Sequence, residues 1–249
     1  MEFDKWMNWV QETDSTNEWL KSRVDKMDGG TWCATTNQTA GKGRLGREWL
    51  CARGECLCLS VLEKCEAHPA ATLLMGLVVT EVLKKMTGKE FTLKWPNDVL
   101  VLDKKVSGIL CEGGVCETGP YMILGVGVNL LQTGATLSET KLPFATSVRR
   151  SLGISLYPDA VAKEIKNQWE INYDVFRTEG FAPFVKRYKA VSANLGKEVC
   201  VLSPDGEELV RGTASDVAMD GSLVIQTEAG EYRCSSGEVS IRGIYGYGS

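Results

Sequence analysis

The sequence lacks any apolar run long enough to cross a membrane: a spanning helix needs roughly 20 consecutive apolar residues, and the longest here are strand-sized. Also missing from the opening MEFDKWMNWV is the basic, apolar, small-residue order of a secretory leader. The chain therefore reads as cytoplasmic, with no membrane partner. Positive charge is not in excess either. The 28 Lys and Arg against 32 Asp and Glu leave a net charge of -4, and phosphate backbones reward basic surfaces, so no nucleic-acid partner is expected. Internal repeats, low-complexity tracts and a GxxxxGK[ST] phosphate loop are all absent. So are the paired CxxC elbows of a zinc site, although there are nine cysteines. Cys51, Cys56, Cys58 and Cys65 lie close together with the sole histidine, His68, just beyond, but the CxC inside ECLCLSVL has the wrong shape for zinc. That run reads as a buried strand with cysteine as a small apolar filler. In a reducing cytosol the thiols should be free.

What is present fits an ordinary globular protein. With 249 residues, 43% hydrophobic and 24% charged, the chain can bury a full core as one large domain with a small appendage. DSTNEWLKSRVDKM reads as a helix, with Asp14 or Ser15 as N-cap and Gly29-Gly30 as its stop. TWCATTN and ECLCLSVL read as strands. HPAATLLMGLVVTEVLKKMTG is a long helix with Pro69 in its first turn and Gly88 after its end; one so apolar belongs against a sheet. FTLKW, DVLVLDKKVSGILCEG and YMILGVGVNL follow as three or four strands, with LDKK turning between two of them. Further helices are expected around Ala145 to Leu152, Asp159 to Arg177 and APFVKRYKA. Past SANLGKE, short strands alternate with turns at Pro204-Asp205-Gly206, Asp220-Gly221, Ala229-Gly230 and Ser236-Gly237, the pattern of a small β-barrel. The expected architecture is α+β, with a sheet flanked by helices over residues 1–194 and a small barrel over 195–249.

TAGKGRLGREW, Thr39 to Trp49, follows neither hydrophobic period and sets Lys42, Arg44 and Arg47 among Gly41, Gly43 and Gly46. Glycines let backbone N–H groups approach a phosphate while the cations neutralise it, so this loop suits one small anion. A solvated surface loop is the plain alternative. KWPND, Lys94 to Asp98, sits between two strand-like runs, and Pro-Asn-Asp is good turn chemistry. It equally holds an amide, Asn97, and a carboxylate, Asp98, at a strand end, where a base or ribose and a divalent cation could bind. In KKVSGIL, Lys105 opens a strand and Gly108 leaves room for a ligand against the backbone; an edge-strand lysine without further role is the alternative.

These ordered pieces resemble biotin protein ligase. The glycine- and arginine-rich loop ending in Trp, KWPND, the lysine-led GIL strand and the strand end GVGVN, Gly125 to Asn129, occur in the family's order. DSTN, Asp14 to Asn17, and Gln38 match its other ligand contacts. The likeness runs from ETDSTN to SGEVSIR and implies a biotin/lipoate-ligase-like mixed sheet flanked by helices, followed by an SH3-like barrel. It implies ATP-dependent activation of biotin to biotinyl-5′-AMP, then transfer to a lysine of a biotin carboxyl carrier protein or domain.

By the resemblance, Lys105 bridges the biotin carboxylate and α-phosphate, and Arg44 acts with it. Ser15, Thr16, Asn17, Gln38, Gly41, Lys42, Arg44, Lys105 and Gly108 contact biotin. Arg44, Arg47, Trp49, Asn97, Asp98, Lys105 and Asn129 contact ATP or the adenylate, with Asp98 on Mg²⁺. Lys42 stands where the family loop usually has arginine, which keeps the charge and loses the planar fork. DSTN is reached almost at once, so no winged helix-turn-helix is expected before it. Homodimer and monomer remain equally open. A lipoate or octanoate ligase is a rival reading, though a lipoyl tail offers no ureido head for Ser15, Thr16 and Gln38. A non-catalytic nucleotide-binding module is a second, opposed by the joint presence of Lys105, Arg44 and Asp98.

Overall fold

Two sheets organise the chain, and the computed structural model describes residues 7–138, 144–235 and 240–242. The first sheet comprises β1 (Asn8–Trp9), β2 (Thr31–Thr35), β3 (Cys56–Glu63), β4 (Thr92–Lys94), β5 (Asp98–Val101), β6 (Lys104–Cys116) and β7 (Gly119–Asn129). Their spatial order is β1-β2-β3-β7-β6-β5-β4. The β1–β2 pair is parallel and the rest are antiparallel, so the sheet is mixed as expected. The turn from β5 to β6 places Leu102 and Asp103 at φ 48° and 57°, the two left-handed positions of a tight hairpin turn whose twist matches the strands it joins.

Among the described residues there are six α-helices: α1 (Thr16–Lys21), α2 (Pro69–Thr87), α3 (Gly134–Ser138), α4 (Val148–Leu152), α5 (Pro158–Glu179) and α6 (Val185–Ala190). Pro69 opens α2 and Gly88, at φ 68°, closes it. Buried nearly all along its length, α2 crosses the face of the sheet that presents Leu57, Leu59 and Val61 of β3 and Val126 and Val128 of β7. Helix α5 buries Val161, Ala162, Ile165, Trp169, Tyr173 and Phe176, the stripe that a 3.6-residue period turns to one side, and packs beside α2. Among the described residues no helix is long and apolar enough to cross a membrane.

The second sheet joins β8 (Glu198–Leu202), β9 (Glu208–Val217), β10 (Leu223–Thr227), β11 (Gly230–Cys234) and β12 (Ser240–Arg242) in the order β11-β10-β9-β8-β12, the small SH3-like unit. The turn expected at Ser236-Gly237 lies outside the described residues. Trp95, 1% exposed, ties this sheet to the first. Its indole donates to Gly221 O at 3.1 Å, and its backbone N–H donates to Asn194 Oδ1 at 2.7 Å. Val199, Val201, Leu223 and Ile225 then join the same apolar core as α2 and α5.

Two helices are shorter than the sequence indicates. α1 stops at Lys21 because the Ser22 hydroxyl and the Arg23 guanidinium both donate to Trp19 O, at 3.1 and 3.0 Å, and take up a last-turn carbonyl; a 3-10 turn at Val24–Lys26 follows. α4 begins only at Val148, after Ser147, whose Oγ accepts from Arg150 N. Ala145 is extended instead, bridging in parallel to Lys105. The five-residue α3 is too short to show a hydrophobic period, and its one local signal is Thr133 just before it, whose carbonyl accepts from Leu137 N.

Glu63 ends β3 with 8% exposure, and its Oε1 accepts from Trp169 Nε1 at 3.1 Å. Burial pushes its carboxyl up from 4.5 to about 7, with the Trp169 N–H opposing. A carboxyl raised on folding contributes stability that is complete below pH 4.5 and is lost as pH climbs through about 7, on the order of 3 kcal/mol in all. Glu63→Gln, which keeps the acceptor, should remove that slope and be more stable than the parent at pH 8. Thermal midpoints across pH 4.5–8 check this; parallel curves for both proteins would contradict it.

Candidate active site

On the face of the first sheet away from α2, side chains are missing where three strands meet. Register puts Gly127 of β7 opposite both Cys58 of β3 and Gly108 of β6, and Gly108 opposite Asp98 of β5. In the next row on that face, Gly125 lies between Ser60 and Leu110. The period of two along a strand brings Gly125, Gly127 and Asn129 to the same face while Leu124, Val126 and Val128 go to the core. The result is a floor of bare backbone under a cavity of about 510 Å³, within the range of small-molecule sites.

The basic loop covers this floor. It adds no strand to either sheet and no α-helix, and is pinned as a narrow hairpin: Lys42 bridges Glu48, Gly43 N donates to Arg47 O at 2.7 Å, and Trp49 N donates to Gly41 O at 2.9 Å. Its tip is a 3-10 turn from Arg44 to Gly46, with Leu45 at φ 56°. The hairpin satisfies backbone groups that a hydrophobic pattern cannot signal. Trp49 then lies on the floor. A Cβ at Gly127 would sit 2.2 Å from Trp49 Cε2, and one at Gly108 3.2 Å from Cζ3. The Lys105 ammonium stands 5.7 Å from the indole centroid. Below it, burial pushes the Cys58 thiol up to about 12, against the Trp49 N–H beside it.

One end of the cavity is cationic. Lys105 Nζ pairs with Asp98 Oδ1 at 2.6 Å, both side chains less than one-fifth exposed. The Lys105 backbone is held by Phe144 O and Thr146 N, each at 2.8 Å. Arg44 Nη1 donates to Asn97 Oδ1 at 3.1 Å, while Asn97 Nδ2 donates to Ile109 O. Asn97 therefore clips β5 to β6 and aims Arg44. Burial lowers the tendency of Arg44 to hold its proton, Asp98 opposes that, and the neighbouring Arg47 adds to it. Arg47 and Lys94 also line this end. Asn129 is fixed at the end of β7, donating to Thr146 O at 3.0 Å and accepting from Gln132 Nε2 at 2.8 Å.

The other end is neutral. Ser15 occupies the N-cap position of α1 but makes no side-chain capping bond, so its hydroxyl is not committed to the helix. Thr16 N donates to Gln38 Oε1 at 3.0 Å. Asn17 reaches Ser60 and Glu112, both at 2.6 Å.

Every residue assigned to biotin, nucleotide or metal in the sequence lines this cavity except Gly41; Asp14 of DSTN and Gly46 of the loop do not line it either. Gly41 is a close-approach position instead, since a Cβ there would meet Trp49 O at 2.2 Å and Gln38 Nε2 at 2.4 Å. Lys42 stands at the rim, its ammonium 2.6 Å from Glu18 Oε1. Ser60, Glu112, Phe144 and Gln132 were not singled out; only the alternation of glycines in GVGVN hints that something must lie opposite Ser60.

The cysteines depart from expectation. Cys51 and Cys56 are joined in a disulfide rather than free, because the turn Ala52–Glu55, closed by Glu55 N on Ala52 O, brings their Cα atoms to 5.7 Å. The other seven are free. His68 caps α2 by accepting from Ala70 N and does not join the cysteines.

Comparison with known proteins gives a consistent result. Residues 9–129 match the Biotin/lipoate A/B protein ligase family, and residues 195–242 match the Biotin protein ligase C terminal domain. A biotin--[acetyl-CoA-carboxylase] ligase of Paracoccus denitrificans is 30% identical over 247 residues, covering 94% of this chain and all of that protein. The Mycobacterium tuberculosis protein of that name is 32% identical, covering 92% and 86% respectively. Among solved structures, the Aquifex aeolicus biotin protein ligase in complex with biotin and ATP superposes with TM-score 0.83 at 33% identity, covering 96% of this chain and 99% of that one.

The floor generates a prediction. Gly127→Ala drives a methyl into the Trp49 ring, and overpacking of this kind typically costs about 1–3 kcal/mol. The loop is the part that can yield, so the amides of Gly43 and Trp49 should exchange faster with solvent while those of β7 stay protected. Parent-like protection of both loop amides would contradict the packing described.

Proposed function

The chain belongs to the biotin protein ligases, and we propose that this cavity is where it joins biotin to AMP and then hands biotin to an acceptor lysine. The function is ATP-dependent biotin ligation. The observation that carries the residue assignment is that one cavity has a neutral, hydrogen-bonding end at Ser15, Thr16 and Gln38 and a cationic end at Lys105 and Arg44.

Biotin has the same two ends. Its ureido ring is neutral, with N–H donors and a carbonyl acceptor, and suits hydroxyl and amide partners. Its carboxylate is an anion that must approach the α-phosphate of ATP, another anion. Fixed positive charge at that meeting point favours the transition state over the separated reactants. Lys105 supplies it, held by Asp98 until the substrates arrive, and Arg44 and Arg47 cover the phosphates from the loop. The carboxylate oxygen attacks phosphorus and pyrophosphate leaves, giving biotinyl-5′-AMP. An acceptor amine then attacks the acyl carbon and AMP leaves. We assign the acceptor to a lysine of a biotin carboxyl carrier domain, and Asn97 and Asn129 to the nucleotide side. Trp49 flanks the nucleotide while its other face rests on the glycines.

Asp98 and Glu48 are the carboxylates that line the cavity, and such hard oxygen donors suit Mg²⁺ carried on phosphates. Asp98 would hold the ion, which when bound offsets phosphate charge. The unit from residue 195 onward contributes no lining residue among those described. We assign it to closing the site and seating the carrier.

Two variants test the assignment. Lys105→Ala empties no core, since the side chain faces the cavity, yet adenylate formation should fall by about 10²–10³; near-normal pyrophosphate release from a folded variant would overturn the role. Arg44→Gly should still make biotinyl-AMP but release it faster, because the hairpin loses its anchor on Asn97 and shields the mixed anhydride less well. Adenylate retained as in the parent would overturn the role of Arg44 as a latch.

A further inference from the structure

The neutral end of the cavity contains a chain of hydrogen bonds whose direction is fixed by its chemistry. Glu112 Oε2 lies 2.6 Å from Asn17 Nδ2. A carboxylate only accepts, so the Asn17 amide turns its NH₂ to Glu112 and its oxygen inward. Gly125 makes that pose possible, since a Cβ there would sit 2.3 Å from Asn17 Oδ1. Ser60 Oγ is 2.6 Å from Asn17 Oδ1 and 2.6 Å from Thr16 Oγ1. An amide oxygen only accepts, and Ser60 has one hydroxyl proton. Ser60 therefore donates to Asn17, and its 2.6 Å contact with Thr16 takes the Thr16 proton, whose other acceptor, Gln38 Oε1, is farther away at 3.4 Å. Thr16 Oγ1 is left with lone pairs alone for the cavity. Beside it, Gln38 Oε1 accepts the Thr16 backbone N–H at 3.0 Å, which leaves the Gln38 NH₂ as that residue's other polar group.

We infer that Glu112 is a positioning residue for substrate recognition: acting through Asn17 and Ser60, it makes Thr16 an obligate acceptor for a ureido N–H. The inference rests on the assignment of this end to biotin. It gives a role to a half-buried glutamate, a buried serine and an asparagine tucked away from the reacting atoms. It also explains how a hydroxyl, which can donate or accept, discriminates in one direction.

Binding measured by titration calorimetry tests it without requiring turnover. The probes are biotin and two ring-carbamate analogues, each with one ureido N–H replaced by oxygen. The parent should prefer biotin over at least one analogue by more than the roughly 3- to 10-fold of a single lost hydrogen bond, because two acceptors would then face each other. Glu112→Gln should keep that preference, since its amide oxygen still accepts from Asn17. Glu112→Leu and Ser60→Ala should each lose most of it, with ATP affinity unchanged. Ser60→Ala removes only one interior oxygen and decides the matter if Glu112→Leu does not fold. A parent-like preference in Ser60→Ala or in folded Glu112→Leu overturns the inference, and so does a Glu112→Gln chain as indiscriminate as Glu112→Leu. If the parent binds biotin with the expected preference yet forms no biotinyl-AMP, the functional reading fails while this one stands; if it binds no biotin, both fall.

Discussion

A deep cavity on the face of a β-sheet requires strands that carry no side chains there. Gly108, Gly125 and Gly127 meet that requirement on two adjacent strands, and much else depends on it. The Trp49 ring and the Asn17 amide each lie where a methyl group would have to be, so neither the covering hairpin nor the start of α1 could reach its position over an alanine. The same strands are apolar on their other face, where α2 packs. One period of two thus builds a core on one side and an empty site on the other.

Charge is the second constraint. A cation drawn out of water is stable only with partners, and removing one partner of a buried pair is strongly destabilising. Lys105 is matched by Asp98, and Arg44 is steered by Asn97, all on or against β5 and β6. Those partners keep two positive groups in place before any anion arrives, so little reorganisation is left for the moment of reaction. Lys42, by contrast, stands half in solvent on Glu18. Its departure from the arginine usual in the family therefore falls at the rim, where geometry is least demanding.

Much of this was legible in the sequence. The strands, the long apolar α2 and the amphipathic α5 follow from hydrophobic period and from Pro69 and Gly88 as punctuation, and KWPND stands between two strands because proline interrupts the ladder there. Other features were not legible. The ends of α1 and α4 are decided by the side chains of Ser22, Arg23 and Ser147 competing for backbone groups, which no periodicity reports. That Gly41 packs closely against Trp49 O and Gln38 Nε2 was not legible either, since a glycine's neighbours are known only once the chain is folded. Ser60 and Glu112 sit in strands whose pattern explains them as ordinary strand residues, and their partners lie 43 and 95 positions away. The Cys51–Cys56 pairing is set by the Ala52–Glu55 turn between them, a local backbone geometry that cysteine spacing alone does not report.

The central claim is that the neutral and cationic ends of one cavity select biotin and join it to AMP. The most direct measurement incubates the chain with ATP, Mg²⁺ and an equimolar mixture of biotin, lipoate and octanoate, then identifies acyl-adenylates by mass spectrometry before any acceptor protein is added. Biotinyl-AMP should form with release of pyrophosphate, and the other two adenylates should be absent. Lipoyl- or octanoyl-AMP as the main product, or no adenylate from a folded chain, would contradict the account.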